Sequence, residues 1–304
     1  MDAPSTVLAA TDLSACALHA VRRAALLARS SGASLDLVHV AARGALDDVR
    51  RWFGADAQVV DATARDNAVR ALSQLRDAIA AEFGVAVDAH VLDGAVVASI
   101  LRHADAIDAG LLVVGARGAD SIRDWLLGAT ADRLLRSTLR PMLAVKQPPR
   151  AAYRQVVVAV DFSAWSCGAL RLAQAMAPQA RYTLLYADEA LVEGKMRFAG
   201  VDEALIRAHR DTVRTQALAE LGRLADGAAW PAAQWRAVVA HGDAAACILQ
   251  QQQDEDADLL VLGKHGTGVT EELLFGSVTK HVLAHARCDV LIASGGAQLE
   301  RAVS

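Results

Sequence analysis

The sequence predicts two α/β domains in tandem, each a parallel sheet of five strands covered by helices on both faces. Three observations predict this. Short apolar runs of strand length alternate along the chain with amphipathic stretches of helical length, as expected for strands buried on both sides. The order of these segments repeats once, and each half opens with strand, Asp, one residue, Ser and helix. A glycine pattern also repeats: Gly263-x-x-Gly266, nine residues, then Gly276-Ser277 is matched in the first half by Gly115-x-x-Gly118, nine residues, then Gly128-Ala129. At 304 residues the chain is long for one core and of ordinary size for two.

In chain order, residues 5–10 read as a buried strand ending in Thr11-Asp12-Leu13-Ser14. Ser14 can cap a helix running to about residue 30. A strand over 34–40 passes into a longer, less regular stretch, followed by a helix over roughly 64–83, a strand over 85–92 ending before Gly94, and a third helix. Strand 111–114 then feeds the first glycine loop, and the last strand spans 141–145. Gln147-Pro148-Pro149-Arg150 continues neither strand nor helix and sets the boundary, giving domains 1–149 and 150–304.

The second half starts with strand 155–160 and Asp161-Phe162-Ser163, then a helix with Leu170, Leu172 and Met176 among its apolar positions. Strand 182–187, another irregular stretch, a helix over about 201–225 and strand 234–240 ending before Gly242 come next. A helix precedes strand 257–262, which feeds the second glycine loop. Beyond it Val278, Val282 and Ala286 share one helical face, and strand 288–293 closes the half.

In doubly wound sheets the ligand sits beyond the carboxyl ends of the strands, where strand order reverses. Asp12 or Asp161 after the first strand and the glycine loop after the fourth therefore converge on one crevice in each half. Glycines at 263 and 266 let backbone approach a ligand, and Gly276-Ser277 opens a helix whose free amides and dipole favour phosphate. Glycines after a strand usually only turn the chain; their repetition in equivalent contexts points to a mononucleotide site. Neither G-x-x-x-x-G-K-[ST] nor G-x-G-x-x-G is present.

These residues resemble the universal stress protein family in its tandem form, over nearly the whole chain. Its ATP-binding members carry G-x2-G-x9-G-[ST], an Asp after the first strand and strand order 3-2-1-4-5. The resemblance implies that Asp161 contacts the adenine amino group and backbone at Ala187 the ring edge. Gly263, Gly266, Gly276, Ser277 and Val278 would hold ribose and phosphates, with Lys264 and His265 inside the loop. The first half keeps Asp12, Gly115, Gly118 and Gly128, with Val40 in the place of Ala187, but has Ala129 for the hydroxyl residue and Gly110 where the second half has Asp258. Thr130, one residue later, substitutes in part, so nucleotide is expected mainly in the second domain. The resemblance also suggests a pseudo-dimer through the final strands 141–145 and 288–293, which would cover their ladder groups.

Hydrophobic residues at 54% and charged residues at 22% describe a globular domain protein, with no apolar run long enough to span a bilayer. The first ten residues lack the pattern of a secretory signal, and the expected location is cytoplasmic. A net charge of −4 argues against nucleic acid as a partner. Cys16, Cys167, Cys247 and Cys288 form no C-x-x-C and read as reduced, core-packing thiols.

Other candidates have plainer readings. His281 and His285 stand at the spacing of a two-imidazole metal pair, but without a third ligand they read as a solvated helix face. Lys264 and His265 are equally placed for phosphate or for solvent. His241 reads as the end of a strand, the Asp254-Glu255-Asp256 run as an exposed connection, and Gln250 to Gln253 as too short for a low-complexity region. Ser294-Gly295-Gly296 follows the last strand, not the first as in a pyrophosphatase loop.

The leading expectation is a non-catalytic protein that binds ATP or another adenine nucleotide, with or without Mg²⁺, in a stress or regulatory role. Its other partners would be an unidentified regulatory protein and a second copy of the chain. An adenylating or ATP-pyrophosphatase enzyme would need SGGxDS after the first strand or an HxGH motif, and neither appears. Slow hydrolysis stays open, since positioning alone assists phosphoryl transfer. The complete second motif counts against a scaffold with both loops empty.

Overall fold

The apolar runs form strands closed off on both faces. The computed structural model describes residues 4–41, 57–116, 127–188, 191–264 and 276–294. Its first half runs β1 (Thr6–Ala10), α1 (Ala15–Ser31), β2 (Ser34–Ala41), α2 (Ala57–Phe83), β3 (Val87–Asp93), α3 (Val96–Ala106), β4 (Leu111–Gly115), α4 (Ala129–Ser137) and β5 (Met142–Val145). The second runs β6 (Gln155–Val160), α5 (Ala164–Met176), β7 (Arg181–Asp188), α6 (Leu191–Phe198), α7 (Glu203–Gly227), β8 (Trp235–His241), α8 (Ala244–Asp254), β9 (Leu259–Gly263), α9 (Ser277–His285) and β10 (Asp289–Ala293). The described residues up to Ala152 form one compact unit and those from Tyr153 onward another.

In the first unit the strands pair in the order β3-β2-β1-β4-β5, every pairing parallel. The second repeats it as β10-β9-β6-β7-β8, again all parallel. The central strands are the driest: Leu111, Leu112 and Val113 of β4 and Leu259, Leu260 and Val261 of β9 are fully buried. Of the four strands with one neighbour in their unit, β5 and β10 are buried throughout, whereas β3 and β8 expose Asp88, His90 and Asp93, and Arg236 and His241.

Local chemistry explains the helix ends. Ser14 accepts from the Ala17 amide at 3.2 Å, and Gly32 closes α1 with φ 72°, a left-handed conformation that glycine adopts without a Cβ penalty. The helix α2 starts at Ala57, earlier than expected, because residues 57–63 hold no glycine or proline to stop it. The stretch read as irregular after β7 contains α6, which Gly194 made hard to foresee. It is held in place by Glu193, a 3% exposed carboxylate that accepts from Arg210 Nε at 2.7 Å and from Arg197 at 3.4 Å. Hydrogen bonding from Arg210 holds its carboxyl down to about 2 against burial, with His241 and Arg197 assisting. This contribution to stability is complete at neutral pH and is lost only as pH falls from the ordinary carboxylate range through about 2.

The contrast between Gly110 and Asp258 lies at the amino ends of the strands, away from the predicted crevice. Asp258 accepts from the Arg154 and Gln155 amides at 2.9 and 3.2 Å. At the equivalent place in the first unit a Cβ on Gly110 would lie 2.8 Å from Pro4 Cβ. Gly110 is therefore a packing requirement and carries no information about nucleotide. Gly110→Asp is expected to destabilise the first unit by about 1–3 kcal/mol in denaturant titration, while leaving nucleotide affinity unchanged.

The core-packing reading of the cysteines holds for buried Cys288 and fails for Cys167, which is exposed on α5; Cys16 and Cys247 are intermediate, and none of the four is in a disulfide.

Candidate functional site

The carboxyl ends of β6, β7 and β9 bring the second-unit residues together. β6 lies between β7 and β9, so Asp161, which follows β6, stands between Ala187 near the end of β7 and Gly263 at the end of β9. Phe162 takes φ 60°, a left-handed conformation that a bulky side chain adopts only when its surroundings enforce it. Here the Asp161 Oδ1 accepts from the Ser163 amide at 3.0 Å and from Ser166 Oγ at 3.2 Å, and the Phe162 ring packs on Tyr186 at 4.5 Å. The turn fixes the carboxylate by one oxygen and leaves Oδ2 without a partner among the described residues. Leu13 takes the same conformation, φ 64°, where Asp12 Oδ1 accepts from the Ser14 amide at 3.0 Å. Asp12 is exposed, whereas Asp161 is half-buried.

Gly276 caps α9 with φ −57° and ψ 143°, a conformation open to any residue, and a Cβ there would meet no atom of the described residues within 4 Å. Among the described residues the glycine thus leaves open space beside a helix N-terminus whose first amides have no partner inside the helix. Ser277 opens the helix, and Thr279 Oγ1 donates to the Gly263 carbonyl at 3.2 Å, tying the end of β9 to the start of α9. Lys264 is not a solvent-facing loop residue: it is 6% exposed, its amide donates to the Ala293 carbonyl at 2.9 Å, and burial draws its ammonium below the usual lysine range. His265 and Gly266, like Gly118, Gly295 and Gly296, lie outside the described residues.

The first-unit site shares the backbone and differs in charge. Gly128 caps α4 with φ −59° and ψ 147°, and its amide donates to Ala116 at 2.8 Å. Ala116 takes the place of Lys264, with the matching hydrogen bond to Val145. Ala129 and Ala131 stand for the two hydroxyl residues Ser277 and Thr279, and Thr130 is exposed. In the first turn of α4 Asp132 occupies the position of Lys280, so an acid paired with Arg136 at 2.9 and 3.0 Å stands where the second unit has a cation. The pair Asp132 and Lys280 was missed in sequence, although aligning the two glycine loops would have revealed it.

His241 does more than end a strand. It faces Asp188 and Glu193, each at 3.5 Å, at the carboxyl ends of β7 and β8. Glu255, from the acidic run, is half-buried and accepts from Thr183 Oγ1 at 2.7 Å and from Arg236. The rings of His281 and His285 stack at 4.3 Å on an exposed face of α9.

A strand-order 3-2-1-4-5 unit with Asp after its first strand and a glycine-capped helix after its fourth occurs twice, and the sequence profile of the universal stress protein family matches the chain twice, over residues 4–146 and 152–294. The chain belongs to the universal stress protein family. A universal stress protein of Thermus aquaticus is 32% identical over 146 residues, which is 46% of this chain and 98% of that protein. One from Bacillus subtilis is 29% identical over 145 residues, again 46% of this chain and 98% of the relative. Each of these relatives thus corresponds to one half of the chain. The crystal structure of a universal stress protein from Archaeoglobus fulgidus aligns over 96% of this chain and 99% of its own, with TM-score 0.66 and 17% identity, a likeness of fold. Among the described residues no helix is long and apolar enough to cross a membrane.

Proposed function

We propose that this universal stress protein binds an adenine nucleotide without turning it over, mainly in its second domain, and acts as a cytoplasmic stress or regulatory protein. The observation that carries the reading is the combination at the ends of β6 and β9: among the described residues, a half-buried Asp161 with one oxygen unclaimed, and open space beside Gly276 at the start of the Ser277 helix. Asp161 suits an exocyclic amino group, and the helix N-terminus with Ser277 and Lys280 suits phosphate, with or without Mg²⁺. Asp132, Ala129 and Ala116 make the first domain the weaker site. The pseudo-dimer through the final strands, and pairing with a second copy or a regulatory protein, belong to the same proposal on the sequence argument given above.

Denaturing the purified protein and analysing the supernatant by mass spectrometry is expected to release ATP, ADP or AMP. Recovery of no nucleotide, together with no binding of added ATP, would remove the proposal. Turnover of ATP is expected to stay below about 1 s⁻¹, the low end for true enzymes, since the Asp161 carboxylate is assigned to the adenine end of the site and not to the phosphates. A faster rate would move the protein to the adenylating or hydrolysing class.

A further inference from the structure

In the first unit three ligand-type side chains from different elements meet away from the nucleotide crevice. Asp36 of β2 is 5% exposed as a residue. One carboxylate oxygen lies 3.0 Å from His103 Nε2 of α3 and the other 3.3 Å from His90 Nε2 of β3. The two imidazole centroids are 4.7 Å apart, and one ligand atom from each residue lies within 4.8 Å of the others. β2 pairs β3 in a register that sets Asp36 opposite Asp88 and Val38 opposite His90, so Asp36 and His90 are diagonal neighbours on one face. The helix α3 delivers His103 from above.

We propose that Asp36, His90 and His103 form a binding site for a divalent transition-metal ion of the Zn²⁺ class. Zn²⁺ takes imidazole nitrogen and carboxylate oxygen at about 2.0–2.2 Å, and a tetrahedral arrangement at that length separates ligand atoms by roughly 3.3–3.5 Å. The observed 3.0 and 3.3 Å separations run to the two different oxygens of Asp36, and with the three donors within 4.8 Å of one another a turn of the carboxylate or of one imidazole brings them to that spacing. The donor set, two imidazoles and one carboxylate, favours zinc, cobalt or iron over calcium and magnesium, which prefer oxygen alone. His103 is largely covered and His90 is 45% exposed, so the site is anchored on one side and open on the other, where water completes the coordination. Asp36 stands four residues before Val40 on β2, roughly 13 Å along the strand, so the site is separate from the nucleotide crevice and the inference does not rest on the proposed function.

The test is titration of the chelator-stripped full chain with Co²⁺, followed by its visible absorption and by displacement with Zn²⁺. One ion per chain is expected, with a low-symmetry Co²⁺ spectrum and a rise in melting temperature. His103→Ala and His90→Gln are each expected to weaken binding by at least about 10–100-fold, the loss usual even for outer partners of a ligand. His90 is exposed, so His90→Gln keeps the test valid if the variant at buried His103 folds poorly. Gly276→Val should leave metal binding unchanged. Absence of a stoichiometric site in the stripped protein, retention of full affinity in His90→Gln, or loss of the site in the double variant His281→Ala, His285→Ala would each overturn the proposal.

Discussion

Gly276→Val is expected to lower nucleotide affinity by at least about 100-fold, measured by isothermal titration, while leaving the fold intact. The backbone at Gly276 is in a region any residue adopts, and a Cβ meets nothing among the described residues, so the protein is expected to tolerate the change. The space it fills is where phosphate would approach the α9 amides, and displacing phosphate forfeits more than one hydrogen bond to a charged group, each contributing about 1.5–3 kcal/mol. Ser277→Ala removes one such bond, and its expected loss is correspondingly about 10–150-fold. The matching changes Gly115→Val and Gly128→Val should spare the tight site. Two equally tight sites per chain, or loss of tight binding from the first-half variants with the fold preserved, would defeat the asymmetry.

Tyr182→Ala is expected to destabilise the second unit by about 3–5 kcal/mol. Tyr182 is 2% exposed, its ring lies 4.2 Å from Trp230, and its hydroxyl donates to the Ala177 carbonyl, with the Ala173 carbonyl 3.3 Å away at the end of α5. Burial raises its pKa beyond the usual tyrosine range, as expected for a phenol kept neutral. Denaturation should then separate into two transitions, with nucleotide binding lost in the earlier one. A single unshifted transition would contradict this assignment of the core. Tyr182→Phe keeps the ring, and the Ala173 and Ala177 carbonyls keep the Ala177 and Ala180 amides as donors, so it should cost only about 0.5–1.5 kcal/mol for the lost hydrogen bond.

What was legible in sequence was what repeats or alternates. Leu111 to Val114 and Leu259 to Leu262 announce buried strands without ambiguity, and Asp161, Gly263, Gly276 and Ser277 are tied together by spacing. The capping role of Ser14 followed from its chemistry alone. What could not be read depends on contacts across the fold. Asp36 and His103 are 67 positions apart, and no local pattern links them. The helix α6 exists because Glu193 finds Arg210, 17 positions on, a pairing that outweighs a mid-helix glycine. Gly110 looked like a lapse in a motif because its real neighbour, Pro4, lies at the far end of the same unit's sequence.

The exposed residues of β3 and β8 bear on how the protein behaves when crowded. Each strand presents a free ladder of amides and carbonyls on its outer side within its unit, and a foreign strand annealing there would have to desolvate Asp88, His90 and Asp93, or Arg236 and His241. Dry apolar strands such as β4 and β9 would polymerise readily in those positions. Charge on these two outer strands thus discourages ribbon formation at the positions where a leucine or valine run would invite it.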